Sequence, residues 1–156
     1  MAEGNAASTL ELDNLLRRLE EARQNLMEAL GICDEQQFES EVAEGEPIKR
    51  LLERTADDLN FYYGRLVARA MSLPQPPCLQ TADFISLREA VMSLQVAQRR
   101  FSNLLHDLVP ADLERQAVDE EHGSYTMRQL LEMSTAHYDV RTQQVKRAAA
   151  ATSKTS

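Results

Sequence analysis

The chain has 156 residues, 43% hydrophobic and 27% charged, enough to bury one domain's core and too apolar to stay unfolded. Its 17 Lys+Arg against 25 Asp+Glu leave a net charge of −8, which repels phosphate backbones and acidic lipid surfaces and argues against nucleic acid or membrane as a partner. Only 5 Gly and 5 Pro punctuate it, too few turn residues for a sandwich or barrel of short strands.

The first helix is expected to start at a capping box, Ser8 with Glu11, behind which Leu12, Leu15, Leu19, Ala22, Leu26, Ala29 and Cys33 recur at steps of three and four. Pro47 suits the first turn of a second helix, whose stripe reads Ile48, Leu52, Thr55, Leu59, Tyr62, Leu66 and Ala70. It stops before Pro74-Gln-Pro-Pro77, a segment that cannot remain helical and is expected to carry the chain across the top of the molecule.

Asp83 or Ser86 can open the third helix, with the stripe Leu87, Ala90, Leu94, Ala97, Phe101, Leu104 and Leu108, and Pro110 ends it. Asp112 to Gly123 reads as an acidic surface loop with one short helical turn, and Ser124 can cap a last helix from about Thr126 to Ala150. Its core line is Met127, Leu130 with Leu131, Ser134, His137 with Tyr138, Arg141, Val145 and Ala148. Residues 1–7 are expected to be flexible, 8–150 to form one domain, and 151–156 to be a disordered tail.

Four such stripes bury most economically in an all-α fold, an antiparallel four-helix bundle. Cys33 and Cys78 belong to no CxxC or CxxH pair, and MAEGNAAS lacks the basic and apolar regions of a secretory signal, so the expectation is a cytoplasmic protein. No apolar run reaches about 18 residues, the length that a membrane crossing demands.

Helix centres in a bundle are its most buried parts, so Ser134, His137 and Arg141 on one face must be paired, hydrated or functional. The second helix offers Arg54, Thr55, Asp57 and Asp58 at matching depth, and Asp58 can neutralise Arg141 or His137. An HxxxH pair would signal a metal, but the fourth position after His137 holds Arg141, a cation that cannot ligate. The plain alternative is that both residues snorkel to water in ordinary ion pairs.

The segment LVPADLERQAVDEEHGSYTMRQLLEMSTAHYDVRTQQVKR, with IKRLLERTADDL before it, resembles the DinB-like (YfiT-like) four-helix-bundle family over roughly Ser8 to Ala150. The resemblance implies a homodimer and a divalent metal such as zinc or nickel on three histidines, one on helix two and an HxxxH pair on helix four. His137 matches the first of that pair, Arg141 stands for the second, and Arg54, with Thr55 or Asp58 as neighbours in register, for the helix-two histidine. With two of the three ligands replaced, the expectation is no cofactor. Arg54, Asp58, Ser134, His137 and Arg141 would instead line a polar cavity for a small, anionic ligand. The alternatives are a divalent-metal-dependent hydrolase or low-molecular-weight-thiol transferase, and a non-catalytic structural or adaptor dimer. A homodimer is also suggested by apolar residues beside the stripes: Leu16, Leu30, Leu51, Leu105 and Leu131.

Overall fold

Pro47, extended at φ −66° and ψ 158°, directs the chain into a helix, as its fixed φ and missing amide hydrogen require at that position. The computed structural model, which describes residues 2–42, 44–75 and 81–153, is mostly helical. Its elements are α1 (Ala2–Gly31), α2 (Glu35–Glu39), α3 (Ile48–Asp58), α4 (Gly64–Ala70), α5 (Leu87–Leu105) and α6 (Met127–Ser153). To these it adds a two-stranded antiparallel sheet, β1 (Gln116–Asp119) and β2 (Gly123–Thr126). Among the described residues no helix is long and apolar enough to cross a membrane.

The stripes form one apolar core, in which Leu26, Leu52, Leu94 and Leu130 lose all contact with solvent. Each contributes about 1.5–3 kcal/mol relative to an exposed side chain. Leu30, Leu51, Leu105 and Leu131 are buried in this same core and Leu16 is partly buried against it. The chain therefore covers by itself four of the five leucines that suggested a second copy and part of the fifth.

Helix direction departs from the all-antiparallel expectation. At one end of the molecule α2 meets both the start of α5, through Glu35 and Leu87, and the end of α6, through Gln37 and Ala149. Glu11 meets Arg128 near the start of α6, so α1 and α6 run the same way. Phe84 meets Glu53 while Leu104 approaches Gly64, so α3 and α5 run parallel as well. The chain leaves α4 at Ala70 and by Ala82 and Phe84 is beside Asp57 and Glu53 of α3, as parallel neighbours require of their link. Pro76, Pro77 and Cys78 of that link lie outside the described residues.

Three acids fasten the returning chain: Glu53 accepts from the Phe84 amide at 2.8 Å, Asp57 from Ala82 at 2.9 Å, and Glu35 from Leu87 at 2.8 Å. The last places a carboxylate on the positive end of α5, whose N-cap is Ser86, bonded to the Glu89 amide at 3.0 Å.

Other expectations are corrected by local chemistry. The backbone is helical from Ala2, so Ser8 lies inside α1 and caps nothing, and residues 2–7 extend the helix. Propagating a helix already anchored by Leu12 and Leu15 costs little, and Ala2, Ala6 and Ala7 favour it. At the other terminus α6 continues to Ser153, past the expected start of the tail; residues 154–156 lie outside the described ones. The stretch read as a loop holds a 3₁₀ turn, Pro110–Glu114, and the hairpin, closed through Gly123 at φ 98°. Ser124 pairs with Val118 in that hairpin, and Thr126 caps α6 instead: the Gln129 amide donates to Thr126 Oγ1 at 3.1 Å and the Thr126 amide to Gln129 Oε1 at 2.8 Å.

Between α3 and α4 the helix continues through one wide turn, Leu59–Tyr63, closed by the Gly64 amide on the Leu59 carbonyl. This π-turn inserts one residue, so Tyr63 rather than the expected Tyr62 faces the core. A Cβ at Gly64 would stand 2.5 Å from the Leu59 oxygen. Alanine in a helix interior ordinarily gains about 0.5–1 kcal/mol over glycine. Here Gly64→Ala is expected to lose about 1–3 kcal/mol in urea unfolding, since the wide turn must shift.

Candidate functional site

The polar face of α6 meets the end of α3. Arg141, its side chain only 6% exposed, donates from Nη2 to Asp58 Oδ2 at 3.4 Å and from Nη1 to Gln144 Oε1 at 3.0 Å. His137, 12% exposed, brings Nε2 to 3.6 Å from the same Asp58 oxygen. That distance is too long for a hydrogen bond. Two buried nitrogens, His137 Nε2 and Arg141 Nε, have no hydrogen-bond partner among the described residues. Asp58 is 39% exposed and opens this cluster to solvent.

Of the five residues singled out from sequence, three come together: Asp58, His137 and Arg141. Arg54 stands at the margin, 49% exposed and paired with Glu46 Oε1. Ser134 is fully buried and spends its hydroxyl on the Leu130 carbonyl at 2.7 Å, as Thr55 does on Leu51 at 2.7 Å, so both serve their own helices. The sequence reading missed Tyr63, whose ring centroid lies 5.2 Å from that of His137, and Gln144, one turn beyond Arg141. The i, i+3 spacing was the signal for Gln144. Nothing local announced the π-turn that aims Tyr63.

Burial sets the electrostatics. It pushes the His137 imidazole down to about 4, helped by the positive charges of Arg141 and Arg54, so at neutral pH His137 is uncharged. Burial also raises the Asp58 carboxyl, against the pull of Arg141 and Arg54, and lowers the Arg141 guanidinium, which Asp58 partly restores. Tyr63 rises by burial first and then by the negative charge of Asp58.

A second polar group lies on the hairpin beside the π-turn. Asp119 Oδ2 accepts from Tyr62 at 2.8 Å and lies 2.9 Å from His122 Nδ1, and Oδ1 accepts from the Glu121 amide at 3.0 Å. These bonds, the amide first, hold the Asp119 carboxyl down at about 2. They tie the hairpin to the helix rather than build a cavity, and His122 belongs here.

The DinB-like arrangement would put a divalent ion among three imidazoles. Here the Asp58 oxygen nearest His137 already faces a permanent guanidinium, and Arg54 points to Glu46. These residues do not fit a dication, because its charge would be repelled where its third ligand should stand. Among the described residues no three of His, Cys, Asp and Glu gather as a metal site.

The pH dependence of stability follows from His137. Above its ordinary value of 6.5 neither the folded nor the unfolded chain protonates it. Between 6.5 and about 4 the unfolded chain binds a proton that the fold refuses, so stability falls as pH falls through that window. The loss is on the order of 3 kcal/mol. Asp58, raised in the fold, acts in the opposite sense but is present in both proteins when wild type is compared with His137→Gln. Urea unfolding at pH 7 and pH 4.5 should show a steeper decline for wild type than for the variant.

No family model matches the chain, and no curated protein matches it.

Proposed function

We propose that the chain is a four-helix bundle of the DinB-like kind, with α1, the α3–α4 helix, α5 and α6 as its helices, that binds a small anion without metal between the second and fourth. The observation that carries this reading is the pair of unsatisfied buried nitrogens, Arg141 Nε and His137 Nε2, beside a carboxylate open to water. Leaving a buried donor unpaired costs about 1–3 kcal/mol, which a bound oxygen acceptor recovers. A carboxylate or phosphate entering past Asp58 would take the Nε hydrogen of Arg141, and neutral His137 would donate from Nε2 in the matching tautomer. Arg54 at the margin adds attraction from outside. Asp58 competes with the ligand for Arg141; its raised carboxyl takes up a proton more readily than an exposed one.

A second reading makes His137 a general base for hydrolysis or group transfer. It is favoured by the uncharged imidazole with a free Nε2, although a base held near 4 is weak at neutral pH. The homodimer rests on the resemblance alone, now that the surplus leucines belong to the chain's own core.

Inorganic phosphate and acetate, titrated while the melting temperature and the His137 ring resonances are followed, test the anion site. Either probe at 100 times its dissociation constant should stabilise wild type by about 2.7 kcal/mol. Arg141→Gln should abolish the effect and Asp58→Asn, which removes the competing carboxylate, should tighten binding. No response of wild type to either anion would defeat the reading.

The metal question has its own test. Arg141→His would set a second imidazole one turn from His137 with Asp58 facing both, a two-histidine, one-carboxylate set. Zinc or nickel should stabilise this variant by about 2.7 kcal/mol at 100 times its dissociation constant, while the same ions leave wild type unmoved.

A further inference from the structure

Between α5 and the helix that carries the π-turn runs an open groove of about 920 Å³, lined by none of the five candidate residues above. Its walls are apolar: Phe61 from the π-turn, Phe84 ahead of α5, and Met92, Val96 and Leu104 on α5. Met92 is 57% and Val96 47% exposed, the only large apolar pair one turn apart on α5 that is left to solvent among the described residues. A row at four-residue spacing, Arg88, Met92, Val96 and Arg100, runs along this face, about 18 Å from end to end at 1.5 Å per residue.

Charge distinguishes the two ends. Neither Arg88 nor Arg100 makes an ion pair among the described residues, a state they share with Arg18, Arg65, Arg69, Arg99 and Arg147, but of these seven only they line the groove. Arg88 nevertheless stands in acidic company, with Asp57 and Glu89 in the lining and the Glu35 carboxylate on its own amide at 3.2 Å. At the far end Arg100 has Asn60 and Leu104 as lining neighbours and no acid in the groove. In a chain of net charge −8, an unpaired guanidinium at the end of an apolar groove is a local attraction for an anion.

We propose that this groove binds a single-chain amphipathic anion, an acyl carboxylate, with its head group at Arg100 and Asn60 and its chain along Val96, Met92 and Phe61. A second copy is the poorer occupant. Pairing two α5 helices about the midpoint of Met92 and Val96 sets Arg88 of one against Arg100 of the other, a repulsion at both ends.

Dodecanoate, decanoate and octanoate, each kept below the concentration at which it forms micelles, are titrated calorimetrically into the full chain. One-to-one binding is expected, tightening about fourfold for each methylene buried. Arg100→Gln should weaken dodecanoate about threefold. Val96→Asp and, independently, Met92→Asp should weaken it at least about tenfold by placing a charge in the apolar wall, with circular dichroism confirming that both still fold. Absence of dodecanoate binding, an affinity that ignores chain length, or indifference to both aspartate variants would overturn the proposal. So would a wild-type dimer in light scattering that Val96→Asp dissociates while dodecanoate fails to bind, since the groove is then a subunit interface.

Discussion

A guanidinium leaves water at little cost only where its charge and its N–H groups are met, and the placement of α3 against α6 answers to part of that need. Arg141 is almost wholly buried, and Asp58 supplies the opposing charge from the last turn of α3. Exchanging a buried pair for apolar residues is often neutral or stabilising, whereas removing one partner costs about 3–5 kcal/mol. The π-turn follows immediately after Asp58, and with its extra residue Tyr63 meets His137 while Tyr62 meets the hairpin.

The acidic composition acquires a structural meaning from the same logic. Glu53 is buried, Asp57 half-buried and Glu35 exposed, yet each accepts an amide at or just before the start of α5. These amides lie where a chain returning along the molecule has no helix partner of its own. Lys49 then joins Glu53 to Asp83 at 2.6 and 2.7 Å, so the entry to α5 is held by a small network rather than by Ser86 alone. Parallel packing of α3 and α5 depends on this fastening, because nothing in the stripes themselves distinguishes the two directions of a helix.

Apolar periodicity made most of the helices legible, since burial and spacing are two statements of one geometry: Leu12, Leu26, Leu52, Leu94 and Leu130 all sit where steps of three and four put them. The cluster was legible for a related reason, three polar residues on an otherwise apolar face, with Asp58 the acid at matching depth. What stayed hidden needed information beyond the local pattern. The hairpin buries mainly Ala117, too small a side chain to print an alternation, and its partner strand is polar. The π-turn moves the stripe by one residue, and its closest trace in the letters is a glycine whose reason lies in a carbonyl five residues back. Thr126 with Gln129 is as readable a capping box as Ser124 is a cap, and the hairpin claims Ser124 first.

Ser134 shows how far a polar residue on a buried face can mislead. It shares that face with His137 and Arg141, yet its hydroxyl reaches only the carbonyl one turn back, which satisfies it completely and leaves it no reach. His137 and Arg141 differ because their polar atoms end beyond the helix backbone, near Asp58 and Gln144, and among the described residues no acceptor or donor reaches His137 Nε2 or Arg141 Nε. The distinction is one of side-chain length. A hydroxyl on a short stem can close on its own helix backbone, whereas an imidazole or a guanidinium needs another side chain, as Arg141 finds Gln144 on its own helix and Asp58 on α3, or a bound molecule. That requirement makes the α3–α6 contact, and not the whole polar face, the place where chemistry is to be sought.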